Sequence, residues 1–159
     1  MLFCKLLGGV LLLGAGLGLG LRARHAARRE LRRTEGFLAL LGHIRTKIES
    51  FSMPIDKILA SCDRRLLADC GADGMSFSDF STLLLEASGE LPREAARLLE
   101  CFGKELGRGY RADQLRHCEQ YMTLLERECR LLREALPRRE KTLLVLPIAI
   151  SAMALLMLI

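Results

Sequence analysis

Apolar residues occupy both ends of the chain, and almost all charged residues lie between them. No charged residue occurs within 6–21 or 142–159. A membrane-spanning helix needs roughly 20 apolar residues, because each advances it by ~1.5 Å across ~30 Å of hydrocarbon. The pattern therefore predicts transmembrane helices over 1–21, with Lys5 reaching the interface, and 142–159, with Pro147 in the first turns. A buried or interfacial helix is the alternative for the second segment.

Basic residues follow the first apolar segment and precede the second one. Within residues 22–33 these are Arg22, Arg24, Arg28, Arg29, Arg32 and Arg33. A cleavable signal peptide carries its positive charge before the apolar run, so the first segment does not fit one. Since Lys and Arg concentrate on the cytoplasmic side of membrane helices, residues 22–141 are predicted to be cytoplasmic and both termini extracytoplasmic.

Two interpretations of the basic stretch remain open. On a helix the six arginines cover roughly one half of the circumference, which suits contact with anionic lipid headgroups. Equally, they could serve only to set the topology of the first segment. The juxtamembrane stretch over 22–33 is therefore a candidate lipid-contact or topology element.

The first apolar segment is rich in glycine. The residues Gly14, Gly16, Gly18 and Gly20 form two overlapping pairs spaced by four. Such small-xxx-small faces let a second helix approach closely in a membrane, although glycine is also common in membrane helices generally. A dinucleotide-binding loop would need a strand before the glycines and an acidic residue about twenty further on, and both are lacking.

The central region has the apolar spacing of helices separated by Gly and Pro breaks. One stripe runs from Phe37 to Phe51 in steps of three and four. A helix is predicted to begin at Pro54 and continue to Leu66. Further helices are predicted after a Ser76 or Ser78 cap, after Pro92 and after the Gly107–Gly109 break; their inward residues include Phe80, Leu84, Leu99 and Phe102.

The last helix of the central region carries the most regular pattern. Its apolar residues step by three and four over three heptads: Leu115, Cys118, Met122, Leu125, Cys129, Leu132 and Leu136. This seam is predicted to pack antiparallel on the 37–51 helix; self-association is the alternative. The predicted fold is all-α, a cytoplasmic antiparallel bundle of about five helices over 22–141 flanked by the two transmembrane helices.

No arrangement of residues indicates catalysis. The six cysteines lack metal-ligand spacing, and Cys62, Cys118 and Cys129 lie on apolar stripes, which predicts buried thiols in a reducing compartment. No nucleophile elbow or phosphate-binding loop occurs, so no catalytic, cofactor, metal or small-molecule substrate site is predicted. The net charge of +5 comes without interleaved aromatic residues, which argues against nucleic-acid binding.

Several segments occur in a characteristic order over almost the whole chain. They are the opening Lys5-Leu6-Leu7-Gly8-Gly9, the arginine stretch, the helix from Leu40 to Glu49, Met53-Pro54-Ile55-Asp56-Lys57-Ile58-Leu59, and Phe102-Gly103-Lys104-Glu105-Leu106-Gly107 followed by Gln114 and Glu126. Together they resemble the stage III sporulation protein AB family of endospore-forming bacteria. The chain departs from the family pattern at Met53, at Asp56 and at Gly109-Tyr110. The last departure removes a helix cap that Asp113 could replace.

The resemblance implies a component of the channel complex between mother cell and forespore, held in the mother-cell membrane around the forespore. Family members are similar to the inner-membrane platform protein F of type II secretion systems. The implied partners are a companion secretion-type ATPase, stage III sporulation protein AA, and other channel proteins. Candidate contact residues are those of two turns: Met53, Pro54, Asp56, Leu106, Gly107, Arg108 and Tyr110.

A function of a different class is also compatible with the pattern. The heptad seam over 115–136 could make the chain a membrane-anchored helical regulator that dimerises through that seam. The two functions differ in whether the seam is covered by the chain's own helices.

Overall fold

The computed structural model describes residues 2–51, 55–72 and 79–158, and every regular element in these ranges is helical. The helices are α1 (Leu2–Phe51), α2 (Ile55–Ala60), α3 (Arg64–Asp69), α4 (Phe80–Ala87), α5 (Arg93–Glu105) and α6 (Arg111–Leu158). A short 3-10 turn at Ser88–Glu90 follows α4. The predicted all-α class is confirmed.

The first and last helices are longer than the sequence pattern predicted. Helix α1 has 50 residues and α6 has 48, and each continues through the predicted domain boundary at 21/22 or 141/142. Pro137 and Pro147 both lie inside α6, so the expectation that Pro147 occupies the first turns of a separate helix is wrong. Each proline removes only one backbone hydrogen bond, and a helix of this length retains the others.

The predicted transmembrane helices are not confirmed. Among the residues whose side chains the structure describes, no helix has an apolar stretch long enough to cross a membrane. Both predicted segments include residues with undescribed side chains, namely 1–13, 144 and 154–159.

The chain divides into two compact units. The terminal unit comprises residues 1–29 and 133–159, and the central unit comprises residues 30–132. The long helices α1 and α6 therefore contribute residues to both units.

In the central unit, α1 and α6 run antiparallel. Arg45 of α1 binds Glu119 of α6 at 2.8 Å, and Arg111 of α6 donates a hydrogen bond to the main-chain carbonyl of Glu49 in α1. The later residue of α1 therefore contacts the earlier residue of α6, as antiparallel helices require. The α1 stripe and the α6 seam supply buried residues to one core, among them Phe37, Leu41, Ile44, Ile48, Cys118, Leu125 and Cys129. The predicted antiparallel packing is confirmed, and the seam faces the chain's own core.

Four aromatic rings connect the helices of the central unit. Phe80 of α4 packs edge-on against Phe37 of α1, with ring centroids 6.3 Å apart, and against Phe102 of α5 at 5.3 Å. Phe102 in turn meets Tyr121 of α6 at 5.5 Å. Edge-to-face pairs contribute about 0.5–1.5 kcal/mol each beyond the area that they bury. This row of rings therefore fixes α4 and α5 against the two long helices.

The single helix predicted from Pro54 to Leu66 is instead two short helices. Helix α2 ends at Ala60, and Asp63 caps α3 by accepting a hydrogen bond from the backbone N–H of Arg65 at 3.1 Å. A carboxylate at this position accepts a hydrogen bond from a helix N–H that would otherwise lack an acceptor. Asp63 therefore favours the start of a new helix, α3. Ser52, Met53 and Pro54 lie outside the described residues, as do Phe77 and the predicted caps Ser76 and Ser78.

Four of the five described cysteines are buried, and all five are free thiols. The buried ones are Cys62, Cys70, Cys118 and Cys129, whereas Cys101 is exposed. Burial raises the pKa of the Cys70 thiol to about 12 and that of Cys118 to about 11. Since the thiolate is the reactive form, these two cysteines pack as small apolar side chains, as the sequence pattern predicts for Cys118.

Candidate functional site

The basic stretch divides between the two units, and Arg24, Arg28, Arg32 and Arg33 each have an acidic partner. In the terminal unit, Arg24 lies 3.1 Å from the carboxylate of Glu140, and Arg28 hydrogen-bonds both oxygens of the same carboxylate. Glu140 is largely buried. The hydrogen bond from Arg28, with smaller contributions from Arg24, holds the pKa of Glu140 below its usual range, although burial opposes this shift.

This cluster gives an expected pH dependence. A carboxyl whose pKa is lower in the folded protein contributes stability above its unfolded pKa and loses it as pH falls through the folded value. Glu140→Gln is therefore expected to lower the thermal midpoint of the full chain at pH 7. The difference from wild type should begin to shrink near the ordinary glutamate pKa of about 4.5 and should vanish once the pH falls below the lower pKa of the folded protein. Circular dichroism melts of both proteins at pH 7 and at a pH well below 4.5 measure this difference. An equal difference at the two pH values would contradict the assignment.

In the central unit, two arginines connect α1 to the middle of the chain. Arg32 binds Asp69 at 2.9 Å. Arg33 binds Glu90 at 3.0 Å, donates to the main-chain carbonyl of Ala87, and its guanidinium lies against Gly71. Gly71 has φ +93°, a conformation that glycine adopts without strain. Arg33 is therefore part of the packing of this unit.

The two remaining arginines, Arg22 and Arg29, are exposed. A single basic half-face of six arginines is not what the structure presents, because carboxylates from α3, α6 and the 3-10 turn approach four of them. The acids were not predicted as partners, since they lie 37 or more residues away along the chain. A role of the six arginines in lipid contact or topology stays a prediction.

The two glycine faces differ in their surroundings within the terminal unit. Gly16 and Gly20 are buried. A Cβ at Gly16 would collide with the Ser151 hydroxyl and lie 3.0 Å from the main-chain oxygen of Pro147. A Cβ added at Gly14 or Gly18 would meet no atom within 4 Å. Gly16 thus permits a close approach of α1 and α6 that a side chain would prevent.

The predicted contact turn between α5 and α6 is well ordered by hydrogen bonds. Leu106 ends α5, with its N–H bonded to the carbonyl of Phe102 at 2.9 Å. Gly107 and Gly109 have φ +82° and +88°, which side-chain-bearing residues rarely adopt. The carbonyl of Tyr110 accepts from the N–H of Gln114 at 3.0 Å and so starts α6.

Two side chains of this turn point outward. Arg108 is exposed, and Tyr110 is 85% exposed. Asp113 lies in the first turn of α6, where its charge favours the helix N-terminus. Of the other predicted contact residues, Met53 and Pro54 lie outside the described residues, and only the backbone of Asp56, in α2, is described.

Two features of the described residues bear on a possible small-molecule site. No group of three or more His, Cys, Asp or Glu residues in it is placed to hold a metal ion. A surface hollow of about 600 Å³ runs along α6 and is lined by Arg116, Glu119, Gln120, Tyr121, Thr123 and Leu124. Glu119 in this hollow is already bound by Arg45, so the hollow offers no pair of carboxylates for acid–base chemistry.

Comparison with known proteins identifies a family. The family model described as stage III sporulation protein AB matches residues 5–159. No curated protein and no solved structure matches the chain.

Proposed function

The chain belongs to the stage III sporulation protein AB family and has a role in sporulation, and from this premise we propose that it is a non-enzymatic platform. In this proposal it is held at the mother-cell membrane around the forespore and belongs to a secretion-like channel complex. Its central unit docks a cytoplasmic ATPase, the companion stage III sporulation protein AA. The observation that carries the proposal is the family match over nearly the whole chain.

The surface of the terminal unit supports attachment to a membrane. Leu19, Val145 and Met153 are 65%, 64% and 62% exposed, and several neighbouring apolar side chains are exposed with them. Soluble monomers rarely leave large contiguous apolar patches in water, and such patches mark contacts with lipid or protein. We assign this surface to lipid. The predicted orientation, with both termini extracytoplasmic, belongs to the same proposal.

The architecture of the central unit supports a docking role rather than a dimerising one. Cys118 and Leu125 of the heptad seam are fully buried against the chain's own core. A regulator that dimerises through this seam would have to open its core first, at the cost of the buried apolar area. The closed bundle instead presents rigid turns, which are frequent contact sites.

Deletion of the gene in an endospore-forming host tests the proposed role. We expect the deletion to abolish heat-resistant spores, and the full chain supplied in trans should restore them. A chain lacking residues 1–21 should restore them poorly, because it loses membrane attachment. Normal counts of heat-resistant spores in the deletion strain would contradict the proposal.

Labelling of single cysteines in intact non-sporulating cells that produce the full chain tests the orientation, because there the chain lies in the cell membrane and an impermeant reagent reaches its outer side. Thiols placed near either terminus should react with a membrane-impermeant maleimide, while Cys101 in the central unit should react only after lysis. Labelling of Cys101 in intact cells would place the central unit outside the cytoplasm and overturn the proposed partner as well.

A further inference from the structure

The turn between α5 and α6 presents one exposed aromatic side chain on a hydrogen-bonded backbone. Tyr110 is the most exposed of the large apolar side chains that the structure describes. Hydrogen bonds hold its backbone on both sides, since its carbonyl accepts from Asp113 and Gln114 at 3.0 Å. The Gln114 side chain also donates to the carbonyl of Gly109 at 3.3 Å. Because this backbone is already ordered, a partner that covers the ring need not order the turn as well.

The charges around Tyr110 are unbalanced. Residues 104–116 contain four cations, Lys104, Arg108, Arg111 and Arg116, and two carboxylates, Glu105 and Asp113. His117 already binds one of those carboxylates, Glu105, at 2.9 Å.

The cations lack carboxylate partners of their own. Arg111 donates to the neutral main-chain carbonyl of Glu49. Lys104, Arg108 and Arg116 are exposed and have no carboxylate partner in the described part of the chain. Residues 104–116 therefore carry a formal net charge of +2, from four cations and two carboxylates.

The position of the turn makes this surface accessible within the central unit. Because α1 and α6 run antiparallel there, the contact between Arg111 and Glu49 marks one end of the unit. Glu30 and Leu132, where the unit begins and ends along the chain, lie at the opposite end of the same two helices.

We infer that the surface formed by residues 104–116 binds an acidic surface of a partner protein that has a pocket for the Tyr110 ring. The inference rests on the proposed function, in which that partner is the companion ATPase. Tyrosine and arginine dominate the residues that carry protein–protein binding energy. Complementary charge also accelerates association and selects the partner.

A protein partner fits this surface better than a lipid or a nucleic acid. A membrane surface is bound by several apolar side chains on one face, whereas this turn offers a single ring. A single-stranded nucleic acid would stack successive bases on several aromatic side chains along a basic groove. One ring set among cations suits a pocket with an acidic rim.

Binding of the purified ATPase to the full-length chain in detergent tests the inference. Tyr110→Ala and Arg108→Glu are each expected to weaken binding by roughly tenfold or more. Raising the salt concentration should weaken wild-type binding and should affect Arg108→Glu less. The matched controls are Leu131→Ala and Arg130→Glu, which alter an exposed leucine and an exposed arginine of α6 outside the turn. Both controls should bind as wild type does.

The outcomes separate the two levels of the proposal. If wild type binds the ATPase and both turn variants bind equally well, the inference about this surface is overturned while the platform function stands. If wild type does not bind, the docking function fails and the inference fails with it. A third outcome would assign the surface to a membrane instead. In it, wild type binds vesicles that contain anionic lipid, Arg108→Glu does not bind them, and both bind the ATPase equally well. Circular dichroism of each variant verifies that the helices are intact.

Discussion

Replacing Phe80 with alanine is expected to destabilise the central unit by about 3–5 kcal/mol. Phe80 is 2% exposed and packs edge-on against Phe37 and Phe102. Its ring also fits over Gly103, where an added Cβ would lie only 3.0 Å from the ring. Helices held by several rings cannot close the resulting cavity completely. Because a domain of this size is stable by about 5–15 kcal/mol, the loss is a large share of the total.

Unfolding of the full chain by heat or urea, followed by circular dichroism, measures this effect. The matched control is Leu85→Ala in the same helix, where the side chain is 77% exposed. That variant should stay within about 0.5 kcal/mol of wild type. Equal stability of the two variants would show that α4 is not packed as described.

The second large effect is expected at Gly36 in α1. A Cβ there would lie 2.6 Å from the main-chain carbonyl of Asp69 and 3.0 Å from the amide nitrogen of Cys70. Alanine favours a helix interior over glycine by about 1 kcal/mol. Overpacking against backbone costs about 1–3 kcal/mol or more, because main-chain atoms cannot rotate away. The collision should therefore prevail, and Gly36→Ala should destabilise the chain.

Gly42→Ala is the matched control in the same helix. Its Cβ would meet only the terminal methyl group of Met122, at 3.7 Å, which is an ordinary contact. Here the helix preference acts almost alone, so we expect no loss of stability and a gain of up to about 1 kcal/mol. Denaturation midpoints of the two variants should move in opposite directions. A stabilising Gly36→Ala would contradict the close packing of α1 on the end of α3.

The core of the central unit could be predicted from the sequence because local periodicity determines it. The stripe from Phe37 to Ile48 and the seam from Cys118 to Cys129 have helical spacing, and their residues are buried as that spacing predicts. Their antiparallel packing also follows from the pattern, since two apolar faces in one small domain bury each other. The undivided lengths of α1 and α6 were missed, because neither the arginine stretch nor Pro137 ends a helix here.

The contacts of polar residues could not be predicted in the same way. Glu140 and Arg28 are 112 residues apart, and no local pattern links an acid near one end of the chain to a base near the other. The same is true of Gly36, where the need for glycine comes from the backbone of Asp69 rather than from α1 itself. The turn around Tyr110 was predicted as a contact candidate because turns presented by a rigid bundle are common contact sites. Its surplus of positive charge depends on which carboxylates are already bound. Only the tertiary contacts determine which ones those are.

Docking of the companion ATPase by the wild-type chain is the central claim, and crosslinked capture from sporulating cells tests it most directly. The tagged full-length chain is crosslinked in intact cells, solubilised and purified, with an unrelated tagged membrane protein from the same cells as the control. We expect the ATPase to be enriched with the chain and not with the control. Recovery of the chain without the ATPase, from cells that contain both proteins, would contradict the claim.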